Sequence, residues 1–234
     1  TMNLGYHLAQ KQKNRVLLLD LDPQASLTTF MGLEPENEQQ TIYQAVVGEE
    51  KMHIHPELIH GMSFTPSNIN LSAAELELVA SLMREIRLKN ALAPIAGDYD
   101  YILIDCPPSL GILSVISLVA ATHLLVPIQC QFKSFQGTDL LLKTITSLKK
   151  GANPSLAIAG FIPTMYDART AQESRTYKAI QEQLSPLATV FDPIPKSIAF
   201  ADASEARKPL ALFNPKHPAV KIMKKIASSL EKLP

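Results

Sequence analysis

The chain has no tryptophan, only two cysteines and nine glycines in 234 residues, and aromatics make up 6% of it. Two cysteines are too few for a disulfide framework or a cysteine-built zinc site. Cys106 and Cys130 each follow an apolar, strand-like run and read as small core hydrophobes. No apolar run approaches the ~20 residues that cross a bilayer, and no signal-peptide pattern is visible; the expectation is a cytoplasmic protein. Net charge is missing too, with 22 Lys/Arg against 22 Asp/Glu, so overall basicity cannot argue for nucleic acid. His53, His55 and His60 lie close together without a cysteine or paired acid beside them, and they read as exposed or structural. What the chain does have is 46% hydrophobic residues and ample length for the core of one α/β domain spanning 1–234.

Two stretches carry chemistry. Residues 101–104, Tyr-Ile-Leu-Ile, are apolar, too short for a helix, and end on Asp105. That is the pattern of a strand buried in a parallel sheet with an acid at its carboxyl edge, where open α/β sheets bind ligands. Pro107 and Pro108 follow, stiffening the turn and withholding two backbone donors. Residues 16–19, Val-Leu-Leu-Leu, likewise end on Asp20, with Asp22 two positions on. Residues two apart on a strand share a face, so both acids can address one ligand. Either stretch alone fits an ordinary strand end; together they point to a magnesium–nucleotide site.

Strand-like and helix-like segments alternate along the rest. Leu4 and Leu8 mark a first helix, 25–41 a loop with a short helix, 42–47 another short helix and 63–65 an edge strand. Ser72 with Glu75 matches a capping box, opening a long helix with Leu78, Leu82 and Ile86 on one face that ends before Pro94. A helix over 113–121, a strand over 122–128, and a helix marked by Leu141, Ile145 and Leu148 come next. A strand over 157–163, a helix over 171–184, a short strand over 190–194 and a C-terminal helix striped by Ile222, Ile226 and Leu230 complete the chain. This alternation predicts an α/β fold with a doubly wound, mostly parallel sheet and helices on both faces. Charge is uneven: residues 163–234 hold 11 Lys/Arg against 7 Asp/Glu, and residues 1–162 hold 11 against 15.

The pieces Asn3-Leu4-Gly5, residues 15–24, Glu85-Ile86-Arg87-Leu88-Lys89, residues 99–111, Val126-Pro127-Ile128-Gln129-Cys130, residues 165–170 and Ile194-Pro195-Lys196 stand in an order that resembles the ParA/MinD family of deviant Walker ATPases. Within it, the likeness is to the ParA (Soj) partition branch. The family's phosphate loop, Lys-Gly-Gly-x-Gly-Lys-Thr/Ser, is not among these residues, and Thr1-Met2-Asn3-Leu4-Gly5 resembles the helix that follows it. The resemblance therefore implies a first strand and loop of roughly 15–20 residues ahead of Thr1; a relative without a phosphate loop is the other reading.

The resemblance further implies ATP hydrolysis with Mg²⁺. Asp22 would orient or activate the attacking water, and Asp105 would hold Mg²⁺ through a coordinated water. Asp20 would serve the metal shell or the structure. Pro107 to Gly111 would form the switch beside the nucleotide, and Met165, Ile194 and Pro195 would line the adenine pocket. An ATP-dependent sandwich homodimer that coats double-stranded DNA without sequence preference is implied, associated with the bacterial nucleoid and stimulated by a ParB-like or cargo-adaptor protein. Arg169 and Lys196 match DNA-contacting positions, and Lys221, Lys224 and Lys225 are candidates to complete a patch in which Ala199 replaces a further family arginine. The cargo, whether plasmid, chromosome or a protein compartment such as a carboxysome, is left open. Two rivals remain: a MinD-like membrane-associated ATPase using the basic, amphipathic stretch 221–226, and a non-catalytic relative.

Overall fold

The apolar run that ends at Asp20 becomes β1 (Val16–Asp20), buried along its whole length. The structure is a computed structural model that describes residues 1–11, 13–48 and 50–233. Parallel partners flank β1 on both sides, β2 (Ser63–Thr65) and β3 (Tyr101–Asp105), in the order β2-β1-β3. A strand covered on both faces must be apolar throughout, and alternate residues of β1 do supply two separate cores. Val16 and Leu18 face one, with Met2, Leu8, Phe64 and Ile226; Leu17 and Leu19 face the other, with Ile42, Leu71, Leu88 and Leu113. β4 (His123–Gln129) and β5 (Ala157–Thr164) form a second parallel pair.

The helices take the two faces. On one lie α1 (Met2–Gln10) and α11 (Pro218–Leu230), joined by Lys11, which donates to Ser228 and pairs with Glu231 at 2.7 Å. On the other lie α3 (Ile42–Val46), α4 (Leu71–Ala80), α5 (Arg87–Leu92) and α6 (Ile112–Ala120). Short α2 (Ser26–Phe30) follows β1, while α7 (Phe132–Lys149) and α8 (Ala171–Leu184) flank the second pair. Short α9 (Ala199–Glu205) and α10 (Leu210–Phe213) lead into α11. The doubly wound parallel architecture follows.

Gly5 lets α1 lie directly on β1: a Cβ there would come within 2.7 Å of the Leu18 side chain and 2.9 Å of Met62. Gly160, at φ +157, sits beside a register shift between Leu124 and Leu125 where residues 189–191 press against β5; its Cβ would meet Phe191 at 2.5 Å.

Both outer sheet edges are covered. Val190 and Pro195 bridge to Phe161 and Tyr166, so the strand expected over 190–194 exists as interrupted pairing. Pro193 and Pro195 have no amide to donate, which forbids a regular ladder there. Past β2, the His55 amide donates to the Phe64 carbonyl at 2.8 Å. Between the three-stranded sheet and the β4–β5 pair, no ladder joins β3 to β4 among the described residues, and β3 is only half-buried where β1 is fully buried.

Three expectations need correction. The long helix after Ser72 breaks: α4 ends at Ala80, Met83 takes a left-handed φ of 53°, and a 3₁₀ turn at Arg84–Ile86 leads into α5. The break buries Leu88 and Leu92, while Leu82 is 87% exposed. The N-cap is Asn70 without a side-chain bond; the capping box is at Thr41 and Gln44 instead. Cys130 is buried as expected, but Cys106 is exposed on the loop after β3.

Candidate functional site

Parallel register brings the carboxyl ends of β1 and β3 together. Asp20 is the partner of Asp105 across the ladder, and the Leu21 amide donates to the Asp105 carbonyl at 2.8 Å. The Thr1 hydroxyl at the N-cap of α1 donates to the Asp105 carboxylate. A helix N-terminus, with first-turn amides that lack intrahelical partners, thus opens onto the same edge and favours anionic groups there.

The three acids differ. Asp20 is fully buried. Its Oδ2 accepts the Thr28 amide at 2.8 Å and the Thr28 hydroxyl at 2.7 Å, and its Oδ1 accepts the Asp22 amide at 3.1 Å. Burial pushes its carboxyl up to about 6 against the pull of these donors, with a smaller upward push from Asp105. Asp22 is half-buried, and its Oδ1 accepts the Gln24 amide at 2.9 Å in an Asx turn. Asp105 is half-buried at the carboxyl end of β3, and only the Thr1 hydroxyl donates to its carboxylate among the hydrogen bonds of the described residues. Pro107 begins the loop that runs to Gly111, and Ser114 in the first turn of α6 ties it down by donating to the Ser109 carbonyl.

The other sequence-predicted residues cluster at the carboxyl end of β5. Met165 has φ 55° and is 45% exposed, and Pro195 pairs alongside Tyr166. Ile194 is buried in the core beneath them. Asp167 accepts the Arg169 amide and guanidinium, at 2.8 Å for Nη2. These bonds, with Lys196 adding a smaller pull, hold its carboxyl down at about 2. The Arg169 side chain is 90% exposed. On α11, Lys225 pairs with Asp192 at 2.8 Å, Lys221 is exposed, and Lys224 helps burial to lower the His7 imidazole. The structure thus joins Asp20, Asp22, Asp105 and Pro107 at one edge and Met165, Ile194, Pro195, Arg169 and Lys196 at another. Among the described residues no hydrogen bond or ion pair links the two sets. Thr1, Thr28 and Ser67 belong to the first edge although sequence reasoning missed them. The only cue was the Pro66-Ser67-Asn68 run straight after the short strand over 63–65.

No group of three or more His, Cys, Asp or Glu that could hold a metal occurs among the described residues. Hard carboxylate oxygens at Asp105 and Asp22 fit Mg²⁺, which keeps several waters and needs only one or two protein carboxylates beside a nucleotide's phosphates.

Parallel strands that deliver acids beside a helix N-terminus define a nucleotide-binding α/β fold. A family model described as "AAA domain" matches residues 1–158, and the chain belongs to that family, in its ParA/MinD group. It is 36% identical over 220 residues to the sporulation initiation inhibitor protein Soj of Bacillus subtilis, covering 92% of this chain and 85% of that one. It is 35% identical over 216 residues to the chromosome partitioning protein ParA of Myxococcus xanthus, covering 91% and 75%. Among solved structures, the cobyrinic acid a,c-diamide synthase of Mycobacterium smegmatis with bound ADP and magnesium superposes with a TM-score of 0.84 at 31% identity, covering 98% and 86%.

Proposed function

We infer that the protein is a partition or positioning ATPase that binds MgATP, dimerises on it and coats double-stranded DNA without sequence preference. One observation carries this reading: two acid-bearing strand ends in register, Asp20 with Asp105, beside the N-terminus of α1. Phosphoryl transfer asks little of a protein except positioning and charge stabilisation, and this edge offers both. When bound, Mg²⁺ neutralises charge on the transferring phosphate. Asp105 would hold it through a water, and the Asp22 carboxylate would orient the attacking water. The loop from Pro107 to Gly111, pinned by Ser114, would respond to loss of the γ-phosphate. Met165 and Pro195, with Ile194 beneath, would receive the adenine.

The open edges of β3 and β4 support one further element, a parallel strand preceding Thr1 that carries the phosphate loop and completes a single sheet. Support for the dimer comes from an apolar ridge formed by Leu76, Val79, Leu82 and Met83, each more than 60% exposed. Monomeric proteins rarely leave such a ridge uncovered, and α4, which carries its first half, reaches the switch loop where Glu75 meets Gly111. Arg169, Lys196 and the α11 lysines would neutralise DNA phosphates, a contact without base readout. The Myxococcus relative is named a chromosome partitioning protein, which favours a chromosome as cargo; a ParB-like or cargo-adaptor protein would be the partner that stimulates hydrolysis.

The membrane reading loses support at α11. Ile226 and Ala227 are buried, and Ile222 and Leu230 pack on the same core as α1, so this stripe has no face left for lipid. No helix among the described residues is long and apolar enough to cross a membrane. Co-sedimentation of the full gene product with ATP, on DNA or on anionic liposomes, tests the reading. Pelleting with DNA is expected, and ATP-dependent pelleting with liposomes alone would overturn it.

A further inference from the structure

We propose that Thr28 and Ser67 are positioning residues that set Asp22 for hydrolysis, through a closed hydrogen-bond ring joining the ends of β1 and β2. The inference rests on the reading of Asp22 given above. Both residues are fully buried, as is Asp20. The Thr28 hydroxyl donates to Asp20 and accepts the Ser67 amide at 2.9 Å. The Ser67 hydroxyl donates to the Asp22 carbonyl at 2.9 Å, and the Asp22 amide returns to Asp20 at 3.1 Å. Both backbone groups of Asp22 are therefore held, one by each end of the ring, and its Oδ1 is fixed by the Gln24 amide. The other oxygen, Oδ2, has no hydrogen bond among those of the described residues and is free to accept one from a water.

Burying three polar side chains is costly unless each is satisfied, and this ring satisfies those of Asp20, Thr28 and Ser67. Its anchorage is equally specific. Thr65 pairs with Leu19 in the ladder, the Pro66 carbonyl accepts the Ile42 amide at 2.9 Å, and the Asn68 side chain donates to the Glu38 carbonyl at 3.0 Å. The residues on either side of Ser67 thus each grip a different segment, which holds Ser67 in place. Small displacements at a reacting centre cost rate out of proportion to their size. A ring that fixes the Asp22 main chain while touching no ligand should therefore act on turnover and not on nucleotide affinity.

Ser67→Ala, Thr28→Val, the conservative Thr28→Ser, and Asp22→Ala, all made in the full gene product, test this. Affinity is read with MgATP by calorimetry, and turnover by phosphate release. Ser67→Ala and Thr28→Val should each lower kcat about tenfold or more and leave the MgATP Kd within about twofold. Thr28→Ser, which keeps the hydroxyl, should restore kcat. The amide resonances of Asp22 and Ser67 should shift in Thr28→Val, showing that the ring has opened in a folded protein. Unchanged kcat in both variants beside an inactive Asp22→Ala overturns the positioning role alone, as does a Kd that weakens as much as kcat falls. Normal turnover in Asp22→Ala overturns the reading of Asp22 and the proposal with it.

Discussion

Asp20, Asp22 and Asp105 are chemically one residue type placed in three environments, and environment separates their expected behaviour. Asp22→Ala in the full gene product should abolish ATP turnover and preserve ATP binding, measured by phosphate release and calorimetry. Asp105→Ala should instead weaken the magnesium-dependent part of binding, read as the difference between titrations with and without Mg²⁺. Asp20 should show itself in stability. Its carboxyl is raised from 3.8 to about 6, so between those values the folded state binds more protons than the unfolded. Its contribution to stability is therefore full below pH 4, declines as pH rises to about 6 and stays lost above. The limiting slope is about 1.4 kcal/mol per pH unit. Urea unfolding of the wild type and Asp20→Asn across that range should show the slope only in the wild type. These acids were legible in the sequence because a period of two and a strand end are local facts. Thr28 and Ser67 were not: they lie 39 residues apart, and only the β2-β1 pairing brings them together.

At the scale of elements, α11 and β5 make opposite demands. α11 is held by an apolar stripe, and Ile226 at its centre is fully buried. Ile226→Ala should cost about 2–5 kcal/mol, whereas exposed Lys221→Ala should stay within about 0.5 kcal/mol, both read by chemical denaturation. β5 is held by the absence of a side chain. Gly160→Ala must displace Phe191 or the Thr189 carbonyl, which would lie 2.5 and 2.7 Å from the new Cβ. A loss of about 1–3 kcal/mol is expected. The strands were legible because continuous apolar runs bounded by turns have few other fates in an α/β protein. The break at Met83 was not, because helical spacing through Leu82 and Ile86 reads the same whether or not the chain turns there. What decides it is burial of Leu88 and Leu92 against distant α6.

For the molecule as a whole, charge separates along the sequence: the last 72 residues carry a net of +4 and the first 162 a net of −4. A DNA-coating dimer would add its two basic sides, so affinity should fall steeply with salt, with a log–log slope of about −0.9 per phosphate contact. Arg169→Glu should weaken binding to all DNA sequences alike and leave DNA-independent ATP hydrolysis nearly intact, measured by fluorescence anisotropy on two unrelated duplexes. The doubly wound architecture itself was legible as alternation; its division between β3 and β4 was not, because strand order is a property of the assembled sheet.

That division writes an alternating code along a single strand. The Tyr101 amide donates to the Arg15 carbonyl and the Asp105 carbonyl accepts from Leu21, so the odd positions of β3 turn their backbone towards β1. Ile102 and Ile104 turn theirs the other way, away from β1. In residues 1–234, hydrogen–deuterium exchange should find the Leu103 amide slow and its two immediate neighbours fast. The same two amides, slowed in a longer chain, would report the moment at which one sheet replaces two.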